Sequence, residues 1–144
     1  MADLREQQLA NCIEESVRPL SFKRFDPSFA IDAVNLVAVW KYKTLNMNRG
    51  IALVTLGYTS LEPGETASAI KKPIGKAIGY IPFVYELGLQ LVLLGRGILA
   101  SGANLERSLD KVNTQTVILQ SIHLVDIDAT SLIQDHSVPV AGAG

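Results

Sequence analysis

The sequence predicts an α/β protein, with α+β as the alternative. The sheet is a single mixed layer of about four strands, flanked by helices. Three observations predict it. Three segments space their apolar residues three and four positions apart, as a buried helix face does. Four others are apolar runs of strand length, or alternate apolar with charged residues. They follow one another as α-β-β-α-β-α-β, so a hairpin is followed by strand–helix–strand units whose strands pair in parallel.

The first helix carries Leu9, Cys12, Ile13, Ser16, Val17 and Leu20 on one face. Asp3 with Glu6 three residues on supplies a start signal. Pro19 ends the helix near Val17 or Arg18, because the residue before a proline is pushed out of the α region. "SFKRFDPSFAID" reads as an irregular connector. "AVNLVAVWKYKTL" is a strand that is apolar on both faces at first and alternates later, with Trp40 and Tyr42 opposite Lys41 and Lys43. "NMNRG" reads as a hairpin loop, since Asn and Gly tolerate positive φ. "IALVTLGY" is apolar on both faces and so central.

Ile70, Ile74, Ala77, Ile78 and Ile81 then mark a second helix, kinked or restarted at Pro73. "LGLQLVLLG" is another strand covered on both faces. Ile98, Gly102, Leu105, Leu109 and Val112 step by four and three, which predicts a third helix. Gly102 weakens its start, and Asn104 is an alternative N-cap. "TVILQSIHLVDI" is the last strand, and "DATSLIQD" reads as a terminal helical turn capped by Asp128. A single domain over 1–136, with a frayed tail at 137–144, is expected.

Hydrophobic residues make up 48% of the chain and charged residues 19%. That is below the usual charged share of about 25%, and it suggests that a second copy covers part of the surface. Residues 18–76 hold nine basic and four acidic residues, a balance of +5, and the remainder balances at −6. Such polarity suits a polyanion on one face, or the basic face of one subunit against the acidic face of another, unless folding mixes the two segments and averages it out. The lone cysteine, Cys12, excludes an internal disulfide and a cysteine-based zinc site, and its place on the apolar helix face makes it inert. "MADLREQQLA" has no apolar core of a secretory signal, and Glu86 and Arg96 interrupt the greasiest window, residues 77–104. A cytoplasmic protein without a membrane segment is expected.

"LVLLGRGILASG" raises the question of a nucleotide. Gly95, Arg96 and Gly97 follow a strand and precede a helical pattern, formally G-x-G-x-x-A. The glycines of that motif let the backbone approach a pyrophosphate at a helix N-terminus. The acid that would grip the ribose is Asp126, 29 residues past Gly97 and further than the motif needs. A sharp turn out of a buried strand accounts for both glycines without a ligand. Asp126 and Asp128 could share a strand end and hold a hard cation, but capping and solvation explain them as well. His123 reads as a half-buried strand histidine, and His136 lies too near the chain end for a positioned base. No cofactor or metal motif is complete, and no nucleophile is singled out.

The α-β-β-α-β order is similar to that of nucleases of the restriction-endonuclease-like fold. That likeness implies an acid one residue before a strand lysine, to hold magnesium and activate water. Here Val39 precedes Trp40-Lys41 and Lys41 precedes Tyr42-Lys43, so the acid is absent and the scaffold would be inactive. "WKYK" could stack bases and meet phosphate, but its aromatics and lysines point to opposite faces, which suits a core strand better. The expected function is non-catalytic protein–protein interaction, as a homodimer. The alternative is a nucleic-acid or nucleotide binding module on an inactivated restriction-endonuclease-like scaffold, using Gly95, Arg96, Gly97, Lys41 and Lys43.

Overall fold

The computed structural model describes residues 4–25, 34–43, 47–56, 66–67, 69–71, 73–74, 86–103, 105 and 118–137. The class is α/β, and the sheet is mixed with six strands rather than about four. Helix α1 is Leu4–Val17, followed by a 3-10 turn at Arg18–Leu20. The strands are β1 (Lys23–Phe25), β2 (Val34–Lys43), β3 (Met47–Leu56), β4 (Glu86–Gly95), β5 (Ile118–Asp126) and β6 (Ala129–Ser137). They stand side by side in chain order. β1–β2, β2–β3 and β5–β6 are antiparallel, and β3–β4 and β4–β5 are parallel.

Both parallel pairs need a long crossover. Helical residues fall in each, within 66–74 and from Ile98 to Leu105. Ala67, Ile70, Ile74, Ile98 and Leu105 all pack on one sheet face, against Val39, Ala52, Val54, Leu89, Leu91, Leu93, Leu119, Ile122 and Leu124. Two right-handed crossovers between strands laid down in order put their helices on the same side. The other face is Ala38, Trp40, Ile51, Leu53, Val92, Leu94 and Val125, and α1 covers it with Ala10 and Val17. β3 over 51–55 and β4 over 91–95 are therefore buried on both sides, as the apolar runs in those stretches require.

Several sequence expectations change. β1 lies in what reads as a connector. It pairs Lys23 with Lys41 and Arg24 with Trp40, a pairing that no local pattern announces. "NMNRG" is mostly strand: Asn48, Arg49 and Gly50 pair with Lys43, Tyr42 and Lys41. The expected C-terminal helical turn is β6, and Ser137, where the tail was expected to start, still pairs with Ser121. Asp128 therefore caps no helix. It sits in the two-residue turn between β5 and β6, where the Asp126 carboxylate accepts its N–H at 2.9 Å.

The buried face of α1 is rotated from the expected one. Glu6, Ala10 and Val17 are buried, Leu9 and Ile13 are half-buried, and Cys12 and Ser16 are exposed. Glu6 accepts a hydrogen bond from the Asn35 amide at 3.2 Å, so a polar contact to β2 joins the apolar face. The third helix begins before Asn104, for Gly102 and Ala103 are already helical. Gly102 lets the Gln134 carboxamide of β6 lie close against the chain, where a Cβ would displace the end of that side chain. Asp3, Asn104, Ala77, Ile78, Ile81, Leu109 and Val112 lie outside the described residues.

Candidate functional site

The residues singled out in the sequence do not form one site. Lys41 and Lys43 pair with Gly50 and Asn48, near the start of β3. Gly50 is in register with Leu89 of β4, whereas Gly95 ends that strand. Six strand residues separate the two rows, about 20 Å at the usual rise.

Gly95, Arg96 and Gly97 turn the chain out of β4. Gly97 has φ +64°, a left-handed conformation that glycine adopts without steric cost. It precedes the short 3-10 turn Ile98–Ser101, and the Ala100 N–H donates to its carbonyl at 3.3 Å. The Gly95 carbonyl accepts the Ile127 N–H at 3.1 Å, which ties the end of β4 to the β5–β6 turn.

Arg96 is engaged within the chain. Its Nε lies 3.2 Å from Asp128 Oδ2, while Arg5 Nη1 lies 3.1 Å from Asp128 Oδ1 and donates to the Ile127 carbonyl at 3.3 Å. One carboxylate thus joins α1, the end of β4 and the β5–β6 turn. Among the described residues, no group of three His, Cys, Asp or Glu is placed to hold a metal ion.

A polar chain runs across β5 and β6 that sequence reasoning missed. Period-two alternation puts Ser121 and His123 on one face of β5, and β6 places Asp135 opposite His123. Ser121 Oγ lies 2.9 Å from His123 Nε2, and His123 Nδ1 lies 2.5 Å from Asp135 Oδ1. The His123 side chain is 26% exposed and that of Asp135 is 70% exposed. Only the partnership of two strands assembles the three groups. The available signal was the Ser-x-His spacing. Its third member, Asp135, falls in a segment whose sequence reads as a helical turn and joins the pair only when that segment is a strand.

β6 also ends the sheet. It is nine residues long and presents Leu132 at 51% and Ile133 at 54% exposure. The opposite edge, β1, has three residues and displays an exposed Lys23. No helix of the described residues is long and apolar enough to cross a membrane. The chain matches no protein-family model, no curated protein and no solved structure.

Proposed function

We propose that the protein acts through protein–protein contact and associates with a second copy of itself along β6. The observation that carries this reading is the pair Leu132–Ile133, exposed in the middle of a nine-residue edge strand. An edge strand offers a row of unpaired N–H and C=O groups, and a second strand satisfies them. β1 does not compete, because it is short and basic, two devices that blunt an edge. A second copy is the natural occupant, since an antiparallel β6–β6 pair about a two-fold axis at Ile133 places Ile133 beside its own mate. Leu132 then faces Gln134 of the other strand. The opposite charge balances of residues 18–76 and the rest of the chain add attraction between copies.

Less supports a nucleic-acid or nucleotide module on an inactivated nuclease scaffold. Its lysines and its glycine turn stand at opposite ends of the sheet, and Arg96 already faces Asp128. Sedimentation of the protein at micromolar concentration tests the dimer. The expected species has about twice the 15.6 kDa chain mass, and the double variant Leu132→Lys/Ile133→Lys sediments as a monomer. A monomeric parent, or a variant that stays dimeric, overturns the proposal.

A further inference from the structure

The Ser121–His123–Asp135 chain points beyond association, and we infer that Ser121 is a nucleophile toward small neutral carboxylic esters, with His123 as its base. The geometry has a direction. In the neutral imidazole the Asp135 carboxylate can only accept, which places the proton on His123 Nδ1 and turns the lone pair of Nε2 toward the Ser121 hydroxyl. Nucleophile to base to orienting acid is the arrangement by which serine hydrolases on unrelated folds are recognised, irrespective of chain order. Ser121 and Asp135 are held on paired strands, so the orientation of the imidazole is set by the sheet and not by a loop.

The chemistry closes on these three residues and water. Ser121 Oγ adds to the ester carbonyl carbon as its proton passes to His123 Nε2. The bond from that carbon to the alkoxy oxygen then breaks, and the leaving oxygen takes the proton from Nε2. Water next adds to the acyl carbon and gives its proton to Nε2, and Ser121 leaves and recovers it. Gln90 is in register with Ser121 on β4, on the same sheet face and half-buried, where a side-chain amide can donate to the developing oxyanion. The substrate class follows from the surroundings. Asp135, exposed beside the base, disfavours anionic esters. Ile133 lies two residues along β6 on the same face, about 7 Å away, and offers an apolar surface to a short aliphatic acyl chain.

The test uses the full chain with p-nitrophenyl butyrate, p-nitrophenyl acetate and a fluorophosphonate. The expected result is a covalent fluorophosphonate adduct that maps to Ser121 by peptide mass spectrometry. Butyrate is expected to be cleaved faster than acetate, relative to their spontaneous rates. Ser121→Ala abolishes both labelling and hydrolysis. His123→Gln lowers the rate about 100-fold or more, the usual contribution of a positioned base. Asp135→Asn lowers kcat with little change in KM, which a purely structural hydrogen-bond chain would not produce. Parent protein that hydrolyses the ester no faster than Ser121→Ala, or an adduct on any other residue, overturns the inference. The adduct on the parent protein decides the matter even where a variant fails to fold.

Discussion

At the scale of single residues, Trp40 shows what the alternation of "WKYK" could and could not reveal. Trp40 is fully buried, Lys41 is exposed and Tyr42 is half-buried, as the inward and outward faces of a strand require. The Arg24 guanidinium stands 5.8 Å from the centre of the indole, a partner supplied by β1, which the sequence pattern hid. The indole Nε1 has no hydrogen-bond partner among the described residues, so its N–H is buried at a cost. Trp40→Ala should therefore destabilise by about 3–5 kcal/mol in urea unfolding, whereas Trp40→Phe should cost distinctly less because it removes the orphan donor. Equal losses in the two variants would show that Nε1 does find a partner. Gly97 makes a second case. A side chain at φ +64° is strained although a Cβ would meet nothing within 4 Å, so Gly97→Ala should cost about 1–2 kcal/mol through the backbone alone. If the turn is only a turn, millimolar ATP, NAD or FAD leaves the melting temperature of both proteins unchanged. A nucleotide-dependent rise in the parent that vanishes in Gly97→Ala would restore the phosphate cradle.

At the scale of elements, legibility follows how local the cause is. β3 and β4 hold long apolar stretches, and β5 sets Leu119, Ile122 and Leu124 toward the core, so the burial of all three is written in their own residues and each is recognisable within a few positions. β1 and β6 are strands because a neighbour pairs with them. Three residues are too few for a pattern in β1. The register shifts where Val125 of β5 faces Ile133 and Asp126 faces Ala129, and the extra β6 residues between Ala129 and Ile133 break the alternation that would mark "ATSLIQDHS" as a strand. Asp128 before that stretch imitates a helix cap, and its real work is to hold Arg5 and Arg96. The candidate site is hidden in the sequence for the same reason, since Ser121, His123 and Asp135 meet only once β6 is paired. Because all three side chains of the Asp128 cluster are half-exposed or more, its ion pairs are screened by water. Each pair should contribute about 0.2–1 kcal/mol. Asp128→Ala should cost no more than about twice that, and adding Arg96→Ala should cost little further, since the partner is already gone. A double-mutant cycle with fully additive losses would show that Arg96 and Asp128 do not interact in solution.

At the scale of the whole molecule, the two sheet faces differ little but the two edges differ greatly. Helices cover both faces, α1 on one and the crossovers on the other, so the apolar strands are accounted for within one chain. The low charge content that suggested a covered surface therefore has to be explained elsewhere: among the described residues Leu20, in the turn after α1, is an exposed large apolar side chain, and Leu132 and Ile133 stand exposed together on the β6 edge. If two copies pair there, folding and association are linked, and stability must depend on protein concentration. Each tenfold increase in concentration adds about 1.4 kcal/mol to the stability of the folded dimer over two unfolded chains. The melting temperature should thus climb steadily over two decades of micromolar concentration, and Leu132→Lys/Ile133→Lys should melt at one temperature throughout. Ionic strength separates this from binding of a polyanion. Phosphate contacts release counterions and weaken steeply with salt, whereas a pairing of strand backbones and aliphatic side chains does not. The concentration dependence should therefore persist when the salt is raised well above physiological levels. A melting temperature of the parent that is flat with concentration, at any salt, would mean that β6 stays unpaired and that its exposed leucine and isoleucine serve another contact.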